Sequence, residues 1–596
     1  MKITTAFAFV LLLVSFSARA QTGSPSSTAP AKALHAFFDS EWEYEMEQSP
    51  TRASALGDRR YNDRWDDDSL DAIRKREEHA KDALQRLGKM DRAKLSPADQ
   101  LNYDLFKKDL ETDIAGFKFR RYLLPINQRG GIQTADELSE QLRFENLKDY
   151  EDWIARLRSF PAAMEQNMAL MREGVKERIM WPRIVLERIP AQIDKQIVPD
   201  PEESPFFKPL KKFPDSIPAA DRERLAKAAR EAIDDGVIPA FEKLKSYIES
   251  EYLPAAYDQV GLWQMPNGAE FYAYLAKRYT TTDLTPEVIH QRGLSEVARI
   301  RSEMESIMKK VGFTGTLPEF FNKLRTDPQF FYKTPEELLE AYRAMAKRID
   351  PNLVKVFKTM PRMPYGVTPI PDKIAPDTTT AYYNGPAADG SRAGNYYVNL
   401  YKPETRPKWE MMALSLHEAV PGHHFQIALA QELGEIPKFR RYGGYTAFVE
   451  GWGLYAESLG EDMDLYDDPY AKFGQLTYEM WRAVRLVVDT GMHQMKWDRQ
   501  RAITFFLENA AKSENDIVNE IDRYISMPGQ ALAYKIGELK IKELRERSRR
   551  EIGGDFDVRE FHDTVLLSGA VPLDILERNV NAWIAEKKKA APAAKR

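Results

Sequence analysis

Apolar residues recur every three to four positions, with charges between them, from Leu34 to about Tyr279 and again from Thr285 onward. That period is helical; a half-buried strand would alternate at every second residue. The chain is therefore held to a mainly α fold, with amphipathic runs at Leu34–Glu47, Asp71–Leu87, Pro97–Ala115, Ala219–Leu253, Pro286–Lys310 and Pro335–Arg348. Pro97, directly after Ser96, reads as a helix start, because the first turn has no use for the missing N–H. Asn127–Glu137, with Arg129-Gly130-Gly131, reads as a loop, and Pro199–Pro218 as a longer proline-rich connection. The helical texture is lost over Pro361–Pro403. There Ala381–Tyr383 and Gly394–Tyr401 carry the aromatic and β-branched residues of two short strands, joined by Gly385–Gly394.

At 596 residues there is ample material for a large core, and two parts are expected: a helical N-terminal domain over residues 33–280 and a second half over residues 281–586. There is no cysteine, so stability must come from the core and not from disulfides. Asp plus Glu number 91 against 86 Lys plus Arg, a net charge of −5, and that near balance argues against nucleic-acid binding. Met1–Ala20 has a positive start at Lys2, an apolar stretch Phe7–Phe16 and the small-x-small ending Ala18-Arg19-Ala20. It reads as a cleavable export signal, too short to span a membrane comfortably. A periplasmic or secreted protein follows, not inserted in a membrane, with a flexible leader through residue 32 and a disordered tail over residues 587–596. The acidic stretch Asp58–Ser69 lacks the ordered spacing of a calcium loop and reads as solvated.

The chemistry concentrates in Leu416–Gln426. Of eight histidines in the chain, His417, His423 and His424 fall within eight consecutive residues, with Glu418 beside the first. Imidazoles and a carboxylate gathered this way can hold a divalent metal and leave one carboxylate free to handle protons. The common helical arrangement is His-Glu-x-x-His, two histidines four apart on one face. Here the fourth position is Pro421, whose ring presses on the carbonyl of His417, and Gly422 weakens the helix further. In an unbroken helix His424 would lie about 10 Å along the axis from His417, too far to share one zinc, and His423 would stand about a third of a turn off the face. A two-residue bulge at Pro421-Gly422 would bring His423 to the ligand position; His424 is the fallback ligand. A third ligand is expected from Phe448–Glu457, where Glu450 and Glu457 are seven apart in an apolar setting. Both lie near one helical face, so one can bind metal while the other steadies a ligand.

Glu450-Gly-x-x-x-x-x-Glu457 resembles the helix of gluzincin aminopeptidases whose first Glu is the third zinc ligand. His417-Glu-x-x-Pro-Gly-His423 is similar to the motif of a bacterial family, domain of unknown function 885 (DUF885). The likeness extends from Ser49-Pro50 and Leu56-Gly57-Asp58, through Trp481–His493, to Pro528–Tyr534 and Phe561-His562. The resemblance implies a large helical N-terminal half and a gluzincin-like helical catalytic half, with a short β-sheet beside the metal site. It implies one zinc ion per chain on His417, His423 and Glu450, with Glu457 behind them and Glu418 as general base.

Further on, Arg485, Asp489 and His493 step by four along one helical face. They read either as a surface ion-pair ladder or as an outer shell in which Asp489, with His493, orients a ligand. Tyr534 and His562 are candidate donors to the oxyanion that a zinc peptidase must stabilise. Asn395, Tyr397 and Asn399 lie on the candidate strand edge for pairing with an extended peptide, an ordinary hairpin being the alternative. The expectation is an exported zinc peptidase acting on oligopeptides. Its rivals are a metal hydrolase of a non-peptide amide or ester, and a periplasmic binding protein without catalysis. An unligated Glu418 favours the enzymes, since a structural site has no use for it.

Overall fold

Helix follows helix through the computed structural model, which describes residues 28–372, 375–377, 379–387, 390 and 392–590. The export signal Met1–Ala20 and the leader through residue 27 lie outside the described residues. The fold is mainly α, with one three-stranded sheet among the described residues. Helix α1 (Ala29–Gln48) begins earlier than expected, inside the supposed leader. Thr28 caps it, its hydroxyl accepting from the Ala31 N–H at 3.4 Å, and a proline sits in the first turn. The long α2 (Leu147–Glu177) starts at a capping box between Asn146 and Asp149. The expected loop after Asn127 is in part a 3-10 helix over Ile132–Glu140. The last helix runs to Ala590, so Lys587–Lys589 are helical and not disordered tail.

Helix α3 (Gly268–Thr280) closes the expected N-terminal domain and α4 (Pro286–Lys310) opens the second half. The core does not divide there. One contiguous cluster takes in Trp153 and Phe160 from α2, Tyr272 and Leu275 from α3, Ile300 from α4, and Trp452, Leu486 and Ile536 from elements further on. The charge-rich faces of the helices remain outside, as the 3.6-residue period requires.

The broken region after α5 (Pro335–Ile349) holds β1 (Tyr365–Pro369), β2 (Ala381–Asn384) and β3 (Gly394–Val398). Two strands were expected and three are present among the described residues, in the order β1-β3-β2. β1 pairs with β3 in parallel, Val367 opposite Tyr396; β2 pairs with it antiparallel, Tyr383 opposite Tyr396. β1 escaped the sequence reading because prolines flank it, a pattern that only an edge strand tolerates.

The site is carried by α6 (Met411–Glu418), α7 (His423–Gln431), α8 (Thr446–Asp462), α9 (Pro469–His493), α10 (Glu514–Ser526) and α11 (Ala533–Ile552). The most extensive helix pairs are α4 on α9 and α8 on α11. Behind them Lys535 is fully buried, with its ammonium 3.0 Å from Glu296, 2.7 Å from Glu479 and 2.6 Å from Glu538. Removing one member of such a buried ion group strands the others at a cost of about 3–5 kcal/mol. The group therefore clamps α4, α9 and α11 together. No helix among the described residues is long and apolar enough to cross a membrane.

Candidate metal centre

The expected bulge is a full break. α6 ends at Glu418, the chain crosses Ala419–Gly422 through a cis Val420–Pro421 peptide, and α7 begins afresh at His423. Gly422 is needed for its size: a Cβ there would lie 1.8 Å from the His417 carbonyl oxygen. The Trp452 indole N–H donates to the Pro421 carbonyl at 2.7 Å and pins the break against α8.

The break turns His423 toward His417. Their rings meet edge to face, with centroids 4.8 Å apart. Glu450 closes the triangle, its Oε2 3.7 Å from His417 Nε2 and 3.6 Å from His423 Nε2; the three donor atoms lie within 4.8 Å of one another. These separations are too long for hydrogen bonds. They are close to what a shared ion demands, because two donors 2.0–2.2 Å from one zinc at tetrahedral angles lie roughly 3.3–3.6 Å apart. The residues present thus fit a divalent metal. Gly453 on the next turn of α8 leaves the room, since a Cβ there would be 2.9 Å from the His417 ring and 3.2 Å from His423.

Glu457 lies seven residues beyond Glu450, and its Oε1 accepts from His417 Nδ1 at 2.8 Å. That bond sets the tautomer, leaving Nε2 of His417 free to ligate. Burial would lower the His417 pKa, but Glu450 and Glu457 outweigh it and raise it to about 9. Burial dominates at His423, which is pushed down to about 4 and held neutral; its Nδ1 is buried with no partner. Glu450 is driven the other way. Burial raises it, but His417 and His423 prevail and hold it at about 2, so it is anionic. Glu418 makes no hydrogen bond with its carboxylate among the described residues. Burial chiefly, with Glu450 adding to it, lifts its pKa to about 7, although part of its surface stays open.

Other expected residues are placed elsewhere. His424 faces the sheet: its Nε2–H donates to the Met363 carbonyl at 3.0 Å, and its Nδ1 accepts from the Tyr383 hydroxyl at 2.8 Å. It fastens α7 to β2 and to the approach to β1. His562 is buried, donating from Nδ1 to the Val356 carbonyl at 2.7 Å and accepting at Nε2 from the Tyr455 hydroxyl at 2.8 Å. Asp489 accepts from the Tyr272 hydroxyl and from the Gly529 N–H, and burial raises its pKa to about 7. His493 accepts from the Leu262 N–H at 3.2 Å and donates to the Tyr524 carbonyl at 3.1 Å. Neither Asp489 nor His493 hydrogen-bonds a member of the triangle, and both are buried in the core instead of forming a surface ladder.

The sheet edge also moves. β3 is the central strand, with both sides paired, so Asn395 and Tyr397 offer no free edge. Asn395 accepts from Thr368, Tyr397 stacks on Tyr382, and Asn399 donates to the carbonyls of Ala375 and Thr379. Tyr534, half-buried, lies one helical turn before Gly537, which packs against Gly451 beside Glu450; burial raises its pKa and Glu450 raises it further. Arg482, which the sequence reading passed over, is buried on α9 with Nη2 4.0 Å from Glu457 Oε1 and Nε without a partner. Its signal in the sequence is the stretch Trp481–His493, which carries part of the family likeness.

A helical fold with a His-His-Glu triangle, buried at His417 and half-buried at His423 and Glu450, a carboxylate behind it and a second one beside it defines the class. The model of a family described as "Bacterial protein of unknown function (DUF885)" matches residues 50–580, and the chain belongs to that family. A crystal structure of a protein from Colwellia psychrerythraea is similar at 28% identity and a TM-score of 0.86, covering 93% of this chain and 99% of that one. A protein from Shewanella oneidensis shares the fold at 18% identity and a TM-score of 0.74, over 93% and 99% of the two chains. Both are described as a "putative lipoprotein", the second of unknown function. No curated protein matches the chain.

Proposed function

We propose that the protein is an exported, metal-dependent peptidase of gluzincin type, with zinc as the fitting ion. One observation carries the reading: His417, His423 and Glu450 converge their donor atoms, and Glu418, next to His417 in the chain, stands outside that group. A divalent ion at that point would polarise a scissile carbonyl and acidify a water. His417 presents Nε2 because Glu457 holds the proton on Nδ1. Glu418, next to His417 and with no hydrogen-bond partner for its carboxylate among the described residues, can take a proton from the attacking water and return it to the leaving amine. Tyr534 is the better placed hydrogen-bond donor for the developing oxyanion. His562 is the weaker candidate, since both its ring nitrogens are already engaged. With β3 enclosed, β2 is the outer strand next to α6 and α7 and the better edge for a substrate backbone. Export rests on Met1–Ala20, and the description of the two similar structures accords with it.

The test is zinc content per chain, with hydrolysis of a mixed peptide pool before and after chelation. About one zinc per chain is expected, with cleavage lost on chelation and restored by zinc. Zinc uptake with hydrolysis confined to non-peptide amides or esters would transfer the site to another substrate class. No zinc uptake would remove the reading.

A further inference from the structure

Around Tyr534 the charges do not balance. The Arg485 guanidinium lies 4.4 Å from the centre of the Tyr534 ring, donates to the Tyr524 hydroxyl at 2.7 Å and to Glu520 at 3.1 Å, and leaves Nη1 without a partner. Arg523 shares the same Glu520, at 3.1 and 3.0 Å, and reaches Gln530 at 2.7 Å. Arg188 and Arg499 share Asp522. Arg129 comes from the other half of the chain. Its loop is tied down by Gln128, which donates to the Asp522 carbonyl at 2.9 Å and to the Ser526 hydroxyl at 3.0 Å. The Arg129 guanidinium is accessible and makes no hydrogen bond among the described residues; burial lowers its pKa, and the neighbouring Arg523 lowers it further. Five arginines thus face two carboxylates, Glu520 and Asp522. Asp489, the other acid near Arg523, is turned to Tyr272 and Gly529 and is half-protonated near neutral pH.

This wall is next to the metal triangle. α8 and α11 cross where Gly451 meets Gly537; a Cβ on Gly451 would be 2.5 Å from the Gly537 Cα. Glu450 adjoins that crossing on α8, and Tyr534 lies one helical turn before it on α11. An uncompensated group of guanidiniums is costly unless an anion arrives, and paired N–H donors in a fixed fork suit a carboxylate.

We propose that Arg129, Arg485 and Arg523 bind a carboxylate of the substrate, so that cleavage falls close to a free peptide C-terminus or beside an acidic side chain. The proposal rests on the peptidase reading and names its substrate class. The three arginines are specificity residues, not catalytic ones.

The test uses the full chain and one mixed-sequence hexapeptide pool made in three forms: free acid, C-terminal amide, and amide with glutamate in the last position. Retention is measured on the Glu418→Gln variant and hydrolysis on the wild type. The free-acid pool is expected to bind and react about 10- to 100-fold better than the plain amide. Arg129→Ala should shrink that ratio mainly through KM, and its accessible, unbonded side chain makes misfolding a poor explanation; Arg523→Gln should shrink it too. If the glutamate amide equals the free acid, the site accepts either carboxylate, and it stands; if the glutamate amide alone exceeds the plain amide, the carboxylate comes from a side chain, and it also stands. Equal retention and cleavage of all three pools would overturn the carboxylate site and leave the peptidase intact. Arginine-dependent retention of the free acid with no cleavage of any pool would do the reverse.

Discussion

His417 of the candidate metal triangle and the histidines packed deeper in the core share residue type and burial, His423 is half-buried, and the two groups differ in what their nitrogens do. His493 and His562 use both nitrogens on partners within the fold. His424, next to His423 in sequence, is spent the same way on Met363 and Tyr383. His417 and His423 instead turn Nε2 toward one carboxylate at distances that satisfy nothing. Burial alone therefore says little about function. An engaged imidazole is structural; a converging, unsatisfied pair asks for an ion.

The widest separation should come from exchanging members of the two groups. His423→Ala should lose its metal outright, while His424→Ala should keep it; elemental analysis of dialysed protein reads both, and metal retained in His423→Ala would erase the contrast. His562→Phe should keep its metal and instead lower stability by about 1–3 kcal/mol for each stranded partner, seen in a denaturant titration. Within the triangle, Glu418→Gln should cut turnover by about 10²- to 10⁴-fold with zinc content unchanged, because only the proton carrier is removed. Glu457→Gln should weaken zinc affinity by about 10- to 100-fold, since His417 loses the anion that orients it; competition with a chelator measures this.

A pH dependence sharpens the other side of the comparison. Asp489 titrates at about 7 in the fold and near 3.9 when unfolded. Between those values the unfolded chain has released a proton that the folded one keeps, so stability falls as pH rises from about 4 to about 7. Asp489→Asn keeps the oxygen that accepts from Tyr272 and Gly529 but cannot ionise. Its stability relative to wild type should improve by at most ~1.4 kcal/mol per pH unit across that window and level off above it. A difference that stays flat with pH would show that Asp489 is not held protonated by its surroundings.

Much of the architecture was legible in the chain. The 3.6-residue period located α4 at Pro286–Lys310 and placed α5 within a residue of its end. Pro421-Gly422 announced an interruption, and the seven-residue step from Glu450 to Glu457 put both carboxylates on one face of α8. Local patterns also misled where pairing across the chain decides. β1 was invisible because its register with β3 is a long-range fact, and a five-residue strand between prolines has little periodicity to show. Arg485, Asp489 and His493 do step along one face of α9, but the helix is buried nearly all round, so a pattern that fits a surface ladder belongs to the core.

By itself, then, the sequence determined the helical class, the position of the break and the residues able to ligate, because these follow from backbone preferences and side-chain chemistry within a few turns. Which histidine joins His417, which nitrogens stay open, that β3 is enclosed, and that Arg129 comes to stand beside Arg523 some 400 residues away were decided only in the tertiary structure. Those are matters of direction and distance between segments remote in the chain, and a difference of an ångström or two separates a ligand from a hydrogen bond.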